Sequence, residues 1–111
     1  MSIIGVGIDS VSIDTMEAAL QNDRFIENTF SSLEQEYCNA FKESVTHFAG
    51  TFAAKEAVRK AKGLYLKMNE IEVRRNEEGK PEIWIAGQKD TSLLISITHT
   101  NEATCAVAIA Q

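Results

Sequence analysis

Two hydrophobic periods divide this chain, and the switch between them separates a helical part from an extended part. Ile3-Ile4-Gly5-Val6-Gly7-Ile8 is an apolar, β-branched run ending at Asp9, and it predicts a buried strand. Gly5 and Gly7 leave room for another backbone or a ligand to come close. Asp14 or Thr15 is placed to cap a short helix holding Met16, Ala18, Ala19 and Leu20. Phe25, Ile26 and Phe30 suggest a second helical segment. Ser31 and Glu34 form a capping-box pattern that should start a helix through Tyr37 to Phe41. The strongest helical pattern runs from about 45 to 62, with Phe48, Phe52 and Ala53 at helical spacing and Gly63 as its stop.

The remainder alternates. Ile71-Glu72-Val73 and Ile83-Trp84-Ile85 flank the turn residues 76–81 and predict a hairpin. The runs 93–98 and 104–109 flank His99-Thr100-Asn101-Glu102-Ala103 and predict a second hairpin with the histidine near its bend. A strand, then helices, then strands points to the α+β class.

Composition narrows the function classes. With 111 residues, the chain suits one domain over 1–111, and Pro81 is its only proline. Apolar residues at 44% and charged residues at 24% argue against a disordered chain or a disulfide scaffold. A formal charge of −5 makes a poor general binder of nucleic acid, so none is expected as a partner. Cys38 and Cys105 match no metal or redox spacing and read as free thiols of a reducing compartment. The N-terminal stretch has no basic leader, and no apolar run approaches the ~20 residues of a spanning helix. A cytoplasmic protein with no membrane partner is the expectation.

Three clusters carry candidate chemistry. Asp9 stands where an apolar strand is predicted to end, as a turn or capping residue or as a ligand to a hard cation. Glu56 and Lys60 are four apart on the long helix and share a face. They form either a surface ion pair or one wall of a cleft, with a metal-binding carboxylate and a phosphate-binding ammonium. The apolar, small residues 48–54 before them favour a closely packed helix. Ser96, Thr98 and Thr100 share one face of a strand, and Ile97 and His99 the other. His99 is then a hairpin-end residue or a donor to a phosphate. No phosphate loop, dinucleotide fingerprint, zinc spacing or nucleophile elbow is present.

Taken together, these segments resemble the holo-acyl-carrier-protein synthase family of 4′-phosphopantetheinyl transferases. The resemblance is carried by residues 4–9 (Ile-Gly-Val-Gly-Ile-Asp), 48–61 (Phe-Ala-Gly-Thr-Phe-Ala-Ala-Lys-Glu-Ala-Val-Arg-Lys-Ala) and 96–100 (Ser-Ile-Thr-His-Thr). Asp23-Arg24-Phe25, Phe30, Glu36-Tyr37-Cys38 and Glu78-Gly79-Lys80-Pro81 also fit. The resemblance implies the transferase's α+β fold, a homotrimer with active sites between subunits, and transfer of phosphopantetheine from coenzyme A to a serine of an acyl carrier protein. The leaving product is adenosine 3′,5′-bisphosphate. Asp9 and Glu56 match the residues that hold Mg²⁺, and Glu56 and Lys60 the catalytic pair. Lys60, Thr98, His99 and Thr100 match contacts to coenzyme A, and Arg24 and Phe25 contacts to the carrier.

The chain departs from the family pattern at Ser12 and Thr15, where many members carry Glu and Arg, and at Thr51, often Arg. The segment 63–67 is shorter than the family's Gly-Thr-Gly loop. Residues 1–40 carry seven acids and one base, whereas the family's early helices usually offer basic residues to an acidic carrier. An alternative is a diverged, inactive member that holds a carrier protein or ligand without transfer.

Overall fold

Local capping rules account for where the first three helices begin. In the computed structural model, which describes residues 2–111, α1 spans Ile13–Ala19, α2 Asp23–Thr29, α3 Ser32–Asn39 and α4 Ser44–Lys62. Met1, the first position of the stretch read as lacking a leader, lies outside the described residues. The Ser31–Glu34 capping box forms in both directions, at 3.2 and 2.9 Å. The cap of α1 is Ser12, not Asp14 or Thr15: its hydroxyl accepts the Thr15 N–H at 3.0 Å. Asn22 caps α2 in the same way.

The strands build two three-stranded antiparallel sheets. One has β1 (Gly5–Ser12), β6 (Ala103–Ala110) and β5 (Leu93–His99) in the order β1-β6-β5. The other has β2 (Ile71–Arg75), β3 (Pro81–Ile85) and the two-residue β4 (Gln88–Lys89). The hairpin β2–β3 turns through Asn76, whose side chain accepts the amides of Glu78 and Lys80 at 2.9 Å each. Gly79 there adopts φ +83°, a conformation natural to glycine.

Helix α4 lies across the inner face of the first sheet, against β1, β6 and β5. A Cβ on Gly5 would collide with the Ala61 carbonyl, and one on Gly7 with that of Ala57. The expected close approach is therefore backbone against backbone, helped by the buried alanines 49, 53, 54 and 57 of the helix. Phe30 stacks edge-on to Phe25 and Phe48 at its other end.

Two expectations for β1 change. The strand continues to Ser12, so Asp9 sits inside it and not at its end. Nor is it buried on both faces. Gly7 and Val11 are buried, whereas Val6 and Ile8 point outward and are 60% and 66% exposed. The pleat explains this, since successive side chains alternate and only one face meets α4.

Buried charge ties the helices to the second sheet. Lys55 is fully buried and donates to Glu34 Oε1 at 2.7 Å and to the Thr29 carbonyl at 2.5 Å. Glu34 Oε2 accepts the Val73 amide at 2.7 Å. Burial pushes the Lys55 ammonium below its ordinary pKa, and the Glu34 carboxylate pushes it back up. One carboxylate thus joins α3, α4 and β2.

Candidate active site

Gly7 lets β1 settle onto α4, and this brings Asp9, one pleat further, over the helix turn that carries Glu56 and Lys60. Lys60 Nζ lies 3.5 Å from Asp9 Oδ1 and donates to the Ile8 carbonyl at 2.9 Å. Burial pushes the Asp9 carboxyl above the usual carboxylate range; Lys60 pulls it down and the negative charge of Glu56 pushes it further up. Two carboxylates and one ammonium from distant parts of the chain therefore act on one another electrostatically.

Of the two readings open for Glu56 and Lys60, the surface ion pair does not form. Glu56 instead accepts from Arg59 at 3.0 Å, and Lys60 turns to β1. The reason is positional. Lys60 is drawn to a carboxylate and a carbonyl of the strand beneath it, which leaves Glu56 to the arginine three residues on.

The donor set suits a hard cation. Asp9 and Glu56 offer oxygen only, and among the described residues no group of three or more His, Cys, Asp or Glu gathers to hold a metal. A site with two protein carboxylates fits Mg²⁺, which keeps several waters and binds substrate phosphates. Lys60 is about half exposed and has room to leave Asp9 for such a ligand.

His99 stands elsewhere in the chain. It pairs across β6 with Thr104, in the row that ends at Val11, while Asp9 pairs with Ala106 in the next inward row. It lines a cavity of about 160 Å³ with Tyr37, His47, Arg75 and Thr104. His47 lies nine residues before Glu56 on α4, roughly 14 Å along the axis. Burial holds His47 below its ordinary pKa, helped by the charges of Arg75 and His99 and opposed by Glu43. The Thr104 hydroxyl, buried at this cavity, has no partner among the described residues.

The other expected residues are placed as follows. Thr98 is exposed on the outer face of β5, opposite to His99 as the alternation requires. Thr100 lies beyond the strand, and its hydroxyl accepts the amides of Glu102 and Ala103 at 3.2 Å, stitching the β5–β6 turn. Arg24 is exposed on the first turn of α2. Phe25 is half-buried, its ring 6.0 Å from those of Phe30 and Phe52. Arg59 was not singled out by spacing, yet it holds Glu56 directly. The signal for Lys55 was available, because Phe48, Thr51, Lys55 and Val58 form one helical stripe and all are buried.

Comparison with known proteins places the chain. The family model described as "4'-phosphopantetheinyl transferase superfamily" matches residues 5–108. The holo-[acyl-carrier-protein] synthase of Chlamydia trachomatis serovar L2 is 37% identical over 119 residues, covering 98% of this chain and all of the relative. That of Clostridium beijerinckii is 38% identical over 120 residues, covering 96% of both. The crystal structure of the Bacillus anthracis synthase, in complex with CoA (3′,5′-ADP), superposes with a TM-score of 0.83 at 31% identity, covering 97% of this chain and 96% of that one. The Helicobacter pylori synthase in complex with coenzyme A gives 0.80 at 28% identity, covering 96% and 99%. From the match over residues 5–108 and full-length relatives above 30% identity, the chain belongs to the 4′-phosphopantetheinyl transferase superfamily, among its holo-[acyl-carrier-protein] synthases.

Proposed function

We propose that this chain, as one domain over 1–111, transfers 4′-phosphopantetheine from coenzyme A to a serine of an acyl carrier protein. The observation that carries the reading is the contact of Lys60 with Asp9 where β1 crosses α4, within electrostatic reach of Glu56. The serine hydroxyl attacks the phosphorus that bears the pantetheine arm. The bond to the adenosine-side phosphate breaks, and adenosine 3′,5′-bisphosphate leaves. Charge grows on the leaving and non-bridging oxygens, and catalysis consists mostly of neutralising it in place.

Lys60, the catalytic ammonium, neutralises or protonates the leaving phosphate. Asp9 and Glu56 would hold Mg²⁺, which supplies Lewis-acid stabilisation of the diphosphate. Glu56, or a water beside it, takes the serine proton. Coenzyme A also meets Thr98, His99 and Thr100 in this reading. Arg75 offers its phosphates a cation, and His47 and His99 offer ring nitrogens, despite the family arginines missing at Thr15 and Thr51. Arg24 and Phe25 contact the carrier.

Because His99 and Lys60 stand apart within one chain, a shared site needs a neighbouring subunit, which supports a homotrimer. The outer face of the first sheet supports it as well: Ile4, Val6, Ile8 and Leu94 are all more than half exposed. Val6→Glu should convert the assembly to monomers in sedimentation and remove most transfer activity. An unchanged sedimentation coefficient from a monomeric wild type would refute the shared site. Among the described residues no helix is long and apolar enough to cross a membrane, and a cytoplasmic location accords with the two free cysteines.

The direct test is mass spectrometry of an apo carrier protein incubated with the enzyme, coenzyme A and Mg²⁺. The expected result is a mass gain of one phosphopantetheine on one serine. Carrier binding by calorimetry with no mass gain on any carrier would favour the inactive binding module instead, which the acidic surface of residues 1–40 also suggests.

A further inference from the structure

All three nitrogens of the Arg59 guanidinium are engaged, and by two different parts of the chain. Nη1 donates to Glu56 Oε1 at 3.0 Å, one turn back on α4. Nε donates to the Leu66 carbonyl at 2.6 Å and Nη2 to the Leu64 carbonyl at 3.0 Å, both in the segment that follows the helix. The Arg59 carbonyl in turn accepts the Gly63 amide at 2.9 Å, so main chain and side chain of one residue both grip this segment. No hydrogen bond from the described residues reaches Glu56 Oε2.

The guanidinium is a rigid planar fork, so its three bonds fix three groups relative to one another. A lysine has a single flexible ammonium and cannot span the same set. The Arg59 and Glu56 side chains are about one-quarter exposed, and an isolated pair at such a site would hold little. Here two backbone carbonyls restrain the same fork. The segment 63–66 also presents Leu64 and Tyr65 to solvent, 68% and 79% exposed, beside the site.

We propose that Arg59 is a positioning residue that couples the segment 63–66 to the Glu56 carboxylate, holding Oε1 so that Oε2 faces Asp9 and Lys60. The inference rests on the assignment of Glu56 to the transfer reaction. The short segment is thereby tied down through a side chain at two of its carbonyls. Any ligand that presses on Leu64 or Tyr65 moves two carbonyls that share a rigid group with Glu56, and the carboxylate turns with them.

The test measures amide hydrogen exchange of residues 64–67 in the metal-free, full-length protein, alongside transfer kinetics. Arg59→Ala should speed exchange there about tenfold or more. Glu56→Ala should speed it as well, by about threefold or more, because the fork loses its anchor. In transfer, Arg59→Ala should lower kcat about tenfold while KM for coenzyme A changes less than about threefold. Arg59→Lys, which keeps the charge, should restore little of either. The coupling is overturned if Glu56→Ala leaves exchange at 64–67 unchanged. It is also overturned if Arg59→Ala lowers only the melting temperature and leaves kcat intact. Should the wild type itself transfer nothing, the proposed function fails, while the exchange measurements still decide the coupling.

Discussion

Lys60→Ala is expected to lower the transfer rate by about 10²–10³-fold, the range seen when one charged or hydrogen-bonding group is removed from a developing anion. The geometry makes this a loss of charge at one point. Nζ sits on Asp9 and the Ile8 carbonyl, about half exposed, so the ammonium contributes little to packing and its removal leaves the core intact. Glu56→Gln should cost at least about a hundredfold through the other side of the site, because an amide keeps the shape but offers a cation no charge. The two losses differ in their remedy. Raising Mg²⁺ should recover part of the Glu56→Gln rate and none of the Lys60→Ala rate. The measurement is carrier mass gain against time over a range of Mg²⁺, with circular dichroism as the control for folding. Wild-type rates in either variant would remove that residue from the mechanism.

Lys55→Met is expected to destabilise the fold by about 3–5 kcal/mol, the usual cost of leaving one partner of a buried ion pair alone. Glu34 would keep the Ser31 and Val73 amides but lose the cation it is paired with, at a site where its side chain is 1% exposed. The Thr29 carbonyl, at the end of α2, would lose its donor too. Against a total stability of about 5–15 kcal/mol for a domain, this is enough to leave a large unfolded fraction on mild warming. Adding Glu34→Gln to Lys55→Met should recover part of the loss, since two neutral side chains no longer strand a charge. Urea unfolding of the wild type and the two variants checks this, and a cost below about 1 kcal/mol for Lys55→Met would show that the pair is not holding α3, α4 and β2 together.

Much of the architecture was legible because it follows from local chemistry. The Ser31–Glu34 box forms as its spacing requires, and α4 runs from Ser44, one residue before the start its apolar pattern indicates, to Lys62. The turn at Gly79 also falls where the sequence places it. Each depends on contacts within a few residues. The cap of α1 was missed for an equally local reason, since Ser12, Asp14 and Thr15 are all competent and only the end of β1 selects among them. The strand β4 was not legible at all. Gln88 and Lys89 are polar, carry no hydrophobic alternation, and pair only because the turn at Ala86–Gly87 returns them to β3.

The site divides in the same way. By itself the sequence determined which groups this protein has for chemistry: the residue types at positions 9, 56, 60 and 99, the helix that presents two of them, and the strand that alternates around the last. Tertiary structure alone decided their partners. Asp9 meets Lys60 because two glycines let β1 lie against α4, Glu56 turns to Arg59, and Lys55 disappears inside while its neighbour stays at the surface. The physical reason is that helix and strand periods fix which side of an element a residue faces, whereas the partner of a charge depends on distances across segments far apart in the chain.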